Sequence, residues 1–248
     1  MEGFWVYGVN PVLEALRSSI EVKDLLIAKG RRERGVERLL EVASLRGLAP
    51  RQVDRSQLDS LTHRAPHQGV ALLVGPFPYR RLEDVLQGEG DPLLMVLDGV
   101  EDPRNLGAIV RTAEACGLWG VVIPKRRAAG VTPAVAKASA GAVFHIPIVQ
   151  VSNIAQALRR LKERGLWVVG AEASAPRSLF EEDLTGPLAL VIGGEGRGIR
   201  PLVLRCCDLL VSIPMRGTVG SLNASVAAGV LMYEALRQRQ RKARGERA

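Results

Sequence analysis

Three short stretches of this chain hold residue types that can do chemistry, and each follows a short apolar run. The first is Asp98-Gly99-Val100-Glu101-Asp102-Pro103-Arg104-Asn105-Leu106-Gly107, which runs on into Ala108-Ile109-Val110-Arg111-Thr112-Ala113. Asn105 and Arg111 lie about 1.7 helical turns apart. An amide and a guanidinium beside the free N–H groups of a helix start can hold an anion such as a phosphate. Equally, Asn105 can cap the helix while Arg111 is a solvated helix residue. The second stretch, Gly193-Gly194-Glu195-Gly196-Arg197-Gly198, places four glycines in six positions after Val191-Ile192. Such a loop lets the backbone approach a ligand closely. It matches neither the Gly-Lys-Ser/Thr ending of a nucleotide-phosphate loop nor a dinucleotide fingerprint. Glu195 would repel a phosphate, but it can accept hydrogen bonds from a sugar, an amine or Arg111. The third stretch is Ser212-Ile213-Pro214-Met215, then Gly217 to Gly220, then Ser221-Leu222-Asn223-Ala224-Ser225-Val226-Ala227. Ser221 reads as a helix cap, with Asn223 and Ser225 as alternatives.

Other chemistries find no support. No Gly-x-Ser-x-Gly elbow exists, and the histidines are His63, His67 and His145, which leaves a hydrolase without a nucleophile–histidine arrangement. His63 and His67 read as surface or RNA-facing residues, and His145, before a strand, as structural. Cys116, Cys206 and Cys207 form neither a disulfide framework nor a zinc spacing. The adjacent pair lies in an apolar stretch and reads as buried thiols in a reducing compartment.

The elements that must position the three stretches follow from hydrophobic periodicity. Leu93–Leu97, Val121–Ile123, Ile146–Val149, Trp167–Val169, Leu188–Ile192 and Leu209–Ile213 are short continuous apolar strands. They alternate with helical patterns at Leu106–Cys116, Pro133–Ala140, Ile154–Leu161 and Leu222–Leu236. That alternation predicts an α/β fold with a parallel sheet covered on both faces. Ligands then bind in the loops at the carboxyl ends of the strands, where the three stretches fall. Ahead of this lies a small α/β unit. It has a helix capped by Asn10 with Pro11 at its first position, a strand at Asp24–Ala28, a helix over Gly35–Arg46 stopped by Gly47, and a strand at Gly69–Val74. The expected domains are 1–75 and 92–248, with a linker at 76–91.

The chain has 248 residues and a net charge of +8, which points to a polyanionic partner. Residues 1–90 carry 13 Lys+Arg against 12 Asp+Glu, and residues 91–248 carry 21 against 14, so the excess sits in the second part. Arginine supplies most of it and suits nucleic acid, although Arg-rich composition also arises as a thermal adaptation. Arg237 to Arg247 forms a basic tail that reads as an RNA-backbone clamp or a solvated helix end. No apolar run is long enough to span a membrane, and Met1-Glu2-Gly3-Phe4-Trp5 has no secretory signal character. A cytoplasmic protein is expected.

At the three stretches the sequence resembles the SpoU, or TrmH-type, ribose methyltransferases of the SPOUT class. The resemblance is carried by Asn105-x-Gly107-x-x-x-Arg111-Thr112-Ala113, by Ile192-Gly193-Gly194-Glu195-Gly196-x-Gly198, and by Ile213-Pro214-Met215 with Ser221-Leu222-Asn223-x-Ser225-Val226-Ala227. The opening Val6-Tyr7-Gly8-Val9-Asn10-Pro11-Val12-Leu13-Glu14-Ala15-Leu16 resembles the RNA-recognition domain of the branch that methylates a guanosine in large-subunit ribosomal RNA. Ala224 departs from the common valine. The resemblance implies a knotted parallel-sheet SPOUT catalytic domain with a deep trefoil knot, preceded by a small α/β RNA-recognition domain, in a homodimer. It implies S-adenosyl-L-methionine as cofactor, held around Gly193, Ile213, Met215 and Leu222. It also implies catalytic and substrate-positioning roles for Asn105, Arg111, Glu195, Ser221 and Asn223, with RNA as partner. The alternatives are ribose 2′-O-methylation of tRNA, or a non-catalytic RNA-binding or ribosome-assembly protein.

Methyl transfer from a sulfonium needs an in-line nucleophile and exclusion of water, but no metal. A ribose hydroxyl is a poor nucleophile unless polarised or deprotonated, and a guanidinium hardly gives up its proton. The expected division of labour has Arg111 gripping the neighbouring phosphate and orienting the hydroxyl. Proton removal then falls to that phosphate or to a deprotonated Arg111.

Overall fold

A computed structural model describes residues 3–30 and 34–245. The chain divides into two compact units, residues 1–78 with 131–145, and residues 79–130 with 146–248.

The first unit is built on a four-stranded mixed sheet, β1 (Phe4–Tyr7), β2 (Val22–Ala28), β3 (Pro50–Val53) and β4 (Val70–Val74), in the order β1-β4-β2-β3. β4 runs antiparallel to both β1 and β2, and β3 joins β2 in parallel. Helices α1 (Val9–Arg17), α2 (Arg34–Leu45) and α3 (Arg55–Leu61) fill the connections. Leu26, Leu58 and Ala71 sit at the centre of a small core that Trp5 and Tyr7 border.

Helix α1 does not start at the expected Asn10 cap. It starts at Val9, with Gly8 in the cap position at φ 92°. Gln68 Oε1 accepts the Val9 N–H at 3.1 Å and also the Lys137 ammonium at 3.1 Å. The cap is thus delivered from 59 residues away, and local sequence could not reveal it. His67 overturns a second expectation. It is buried, accepts the Gly69 N–H on Nδ1 at 2.9 Å and faces Asp59 with Nε2 at 3.0 Å. Since Nδ1 accepts, the ring proton lies on Nε2 and donates to the carboxylate.

The second unit carries a seven-stranded sheet. After the short helix α4 (Leu82–Val85) come β5 (Leu93–Asp98), α5 (Pro103–Ala115) and β6 (Gly120–Pro124). The chain then crosses residues 131–145, whose helix α6 (Pro133–Ala138) packs on β1 within the first unit. There His145 meets Glu14 at 2.8 Å. It returns with β7 (Ile148–Val151), α7 (Ile154–Glu163), β8 (Trp167–Ala171), β9 (Arg177–Ser178), β10 (Leu188–Gly193), α8 (Pro201–Leu204), β11 (Leu209–Ser212) and α9 (Ala224–Ala243). Strand order is β7-β6-β5-β10-β8-β11-β9, and every pairing is parallel. Every residue of β5, β6 and β10 is buried, as the continuous apolar runs require when helices cover both faces. Helices α5, α7 and α9 begin where side chains satisfy their first amides. Asp102 accepts from Arg104 N at 2.8 Å, Asn153 from Gln156 N at 3.1 Å, and Asn223 from Ser225 N at 2.9 Å.

Helix α9 runs seven residues past the expected end at Leu236 because its basic residues are anchored. Arg237 pairs with Glu234 at 2.7 Å, and Arg239 donates to Asp91 O at 2.8 Å. Gln238 accepts from Leu184 N at 2.8 Å, and Lys242 reaches Thr185 Oγ1 at 3.2 Å. Much of the basic tail is therefore internal scaffolding, and Arg247 lies outside the described residues.

Candidate active site

The site is assembled at the carboxyl ends of β5, β8, β10 and β11. A cleft of about 500 Å³ is lined there by Gly193, Gly194, Glu195, Gly196 and Gly198 after β10, by Ile213 and Met215 after β11, and by Ser221, Leu222 and Asn223 leading into α9. All four residues expected to hold a cofactor lie in this one cleft.

The walls suit a ligand that mixes apolar and polar parts. Met215 and Leu222 are exposed hydrophobics on its surface, and Ala224 and Ala227 add small apolar contacts. Residues 214–222 donate no main-chain hydrogen bond to another main-chain group among the described residues. The N–H groups of Met215, Gly220, Ser221 and Leu222, which line the cleft, are available to ring nitrogens, hydroxyls or a carboxylate. Two of the glycines are required sterically. A Cβ on Gly193 would lie 1.9 Å from the carbonyl carbon of Gly198, and one on Gly194 would lie 2.0 Å from Gly99 O. S-adenosylmethionine, part nucleoside and part amino acid, fits such a lining in size and in polarity.

At the rim, three of the expected catalytic residues form one hydrogen-bonded chain. Asn105 donates from its side-chain amide to Glu195 Oε1, and Asn223 Nδ2 donates to Asn105 Oδ1 at 3.1 Å. Asn223 Oδ1 in turn accepts from Ser225 N at 2.9 Å and Ser225 Oγ at 2.6 Å. These contacts fix which end of each amide faces which neighbour. Glu195 therefore accepts from Asn105, not from Arg111 as one sequence reading allowed. Asn105 is not a cap; Asp102 holds that role, with Pro103 at the start of α5. Asn223, not Ser221, caps α9.

Arg111 stands apart. It lies on α5, is exposed, and its side chain makes no hydrogen bond or ion pair among the described residues. A free guanidinium there is available to an external anion.

Two features escaped the sequence reading. One is the wall formed by Ala171, Glu172 and Ala173 after β8. No sequence signal marked it, since its place in the cleft follows from the sheet order, in which β8 lies between β10 and β11. The other is Asp98, whose buried carboxylate accepts from Arg200 N at 2.8 Å and from Arg200 Nε at 2.8 Å. That contact raises the pKa of the Arg200 guanidinium. A second depression, at the amino ends of β8, β10 and β11 around Trp167, Leu188 and Leu209, encloses about 720 Å³. It holds none of the expected site residues. Two of the thiols are held protonated: burial pushes Cys116 up, and burial with neighbouring acidic groups pushes Cys207 up to about 12.

Comparison with known proteins places these features in a family context. Residues 92–233 match the model of the SpoU rRNA Methylase family, and residues 5–80 match that of RNA 2′-O ribose methyltransferase substrate binding. The chain is 46% identical over 239 residues to the putative TrmH family tRNA/rRNA methyltransferase YacO of Bacillus subtilis, covering 95% of this chain and 96% of that protein. It is 45% identical over 242 residues to the 23S rRNA (guanosine-2′-O-)-methyltransferase RlmB of Pseudomonas syringae, covering 96% of each. Among solved structures, the SpoU methyltransferase AviRb of Streptomyces viridochromogenes, in complex with AdoMet, superposes with a TM-score of 0.83 at 29% identity over 96% of this chain and 91% of that one.

Proposed function

The chain belongs to the SpoU rRNA methylase family, and we propose that it moves a methyl group from S-adenosylmethionine to the ribose 2′-hydroxyl of a guanosine in large-subunit ribosomal RNA. The observation that carries this reading is the Glu195–Asn105–Asn223 chain at the rim of the cleft that Gly193, Ile213, Met215 and Leu222 line. The cofactor, when bound, supplies an electrophilic methyl group on a sulfonium. The protein's part is to hold, orient and dry the reacting pair. Met215 and Leu222 exclude water from the cleft, and the main-chain groups of 214–222 take its polar contacts. Asn105, Glu195, Ser221 and Asn223 line up the acceptor hydroxyl. Arg111, without an internal partner, grips the phosphate beside the target ribose.

The finer architecture belongs to the same proposal. Residues 1–75 act as the RNA-recognition domain and 92–248 as the catalytic domain, with 76–91 between them; the compact units depart from these bounds, because 131–145 belongs to the first unit and Leu82 and Val85 of α4 are buried in the core of the second. A trefoil knot in the catalytic domain is part of the same reading, on the match of residues 92–233 to the SpoU rRNA Methylase family. A homodimer is supported by exposed Leu222, Val226 and Tyr233. Val226 and Tyr233 lie one heptad apart on α9, an apolar face bordering the cleft. No described helix is long and apolar enough to cross a membrane, and action in the cytoplasm on ribosomal RNA accords with the named relatives.

The test is transfer of a tritiated methyl group to ribosomal RNA transcripts, followed by nuclease digestion. The expected product is 2′-O-methylguanosine in a large-subunit fragment. Label on a base, or on tRNA alone, would replace this reading.

A further inference from the structure

We propose that Asp98 and Arg200 are positioning residues, a clasp that sets Glu195 against Asn105. The inference rests on the methyltransferase reading above. Asp98 ends β5 and lies opposite Gly193 of β10. Its carbonyl oxygen accepts from Gly194 N at 3.1 Å. Its Oδ2 accepts from Arg200 N and its Oδ1 from Arg200 Nε, each at 2.8 Å, with Nη2 of the same guanidinium on Oδ1. One residue thus grips both ends of the loop 194–200.

The loop is also closed on itself, because Gly198 N donates to Gly194 O at 3.2 Å. Ile199 is 3% exposed and roots the loop in the core. Glu195 stands on this pinned ring. Its partner Asn105 sits in the first turn of α5, on the chain that leaves Asp98 through 99–102. Asp98 is therefore the common root of both groups in the Glu195–Asn105 contact.

The chemistry of the pair matches that duty. The Asp98 side chain is 0% exposed and the Arg200 side chain 53% exposed. A buried carboxylate deprived of its partner is strongly unfavourable, so the clasp stays shut. A guanidinium fork fixes direction as well as charge, which a lysine ammonium does not reproduce. Small displacements of aligned groups are costly in rate.

The test uses the full-length chain with Arg200→Lys, Arg200→Met, and Arg200→Met combined with Asp98→Asn, which removes the charge together with its partner. Three quantities are read: single-turnover methyl transfer at saturating cofactor and RNA, the S-adenosylhomocysteine Kd, and amide hydrogen exchange across 194–200 without cofactor. The expected result is a rate fall of about 10²-fold for Arg200→Met, partial recovery in Arg200→Lys, and faster exchange confined to 194–200. The Kd should rise less than the rate falls. A purely structural role would lower the melting temperature and speed exchange everywhere, with the rate per folded molecule unchanged, and that outcome overturns the proposal. If Arg200→Met does not fold, Arg200→Lys decides, and wild-type rate and exchange there overturn it. Absence of methyl transfer in the wild-type protein would instead defeat the functional reading, while unchanged exchange at 194–200 in the variants would still defeat the clasp.

Discussion

In the seven-stranded parallel sheet, polar side chains at the strand ends are aimed at one another across an open cleft; in the four-stranded mixed sheet they are consumed by the fold. Asn105, Glu195 and Asn223 leave three different strands and meet at a rim with space beside them. Gln68, His67 and Glu14 hold Val9 and Lys137, Gly69 and Asp59, and His145. Polarity alone does not separate the two uses. What separates them is whether the partners leave the group facing a cavity.

That contrast can be broken most directly at Arg111, the expected catalytic residue whose charged side chain has no internal partner among the described residues. Arg111→Ala should reduce methyl transfer by about 10²–10³-fold, the scale of losing one preorganised charge-stabilising donor. S-adenosylhomocysteine affinity, measured by calorimetry, should be unaffected. Retained turnover would remove Arg111 from the chemistry. Glu195→Ala should cost less, about 10–10²-fold in rate, since Asn105 keeps its contact with Asn223. Gly193→Ala acts on the cofactor instead. A methyl group there collides with main chain at Gly198, so overpacking of about 1–3 kcal/mol is expected as weakened S-adenosylhomocysteine binding or a lowered melting temperature.

The contrasting region gives the smaller effects. His67→Ala leaves Asp59 and the Gly69 N–H short of a buried partner, a loss of about 1–3 kcal/mol in stability by denaturant titration. The rate per folded molecule should be unchanged; a selective loss of rate would place His67 in substrate handling. The last expectation concerns Cys207, whose thiol is raised to about 12 from an ordinary 9.0. A raised folded-state pKa means the folded protein holds the proton longer than the unfolded chain. The resulting stabilisation is complete below pH 9 and is lost as pH rises toward about 12. Melting temperature followed across that window checks the sign, and Cys207→Ser should flatten the slope.

The parallel sheet was largely legible because its strands are buried on both faces and write themselves as unbroken apolar runs. The three loops followed from the rule that ligands meet such sheets at strand ends. Legibility failed where partners are remote or patterns short. β3 exposes Pro50, Arg51 and Gln52 and buries only Val53, so no alternation marks it. β9 is two residues long and pairs only at the sheet edge. The cap of α1 comes from Gln68, and the partner of Asp98 lies 102 residues further on. The length of α9 depended on anchors at Thr185, Leu184 and Asp91 that periodicity cannot show.

The decisive observation is a crystal structure of the chain soaked with S-adenosylhomocysteine. Density should fill the cleft bounded by Gly193, Ile213, Met215 and Leu222, with the sulfur facing the Glu195–Asn105–Asn223 chain. Density in the depression beside Trp167, or none in the cleft at saturating ligand, would contradict the assignment of this site.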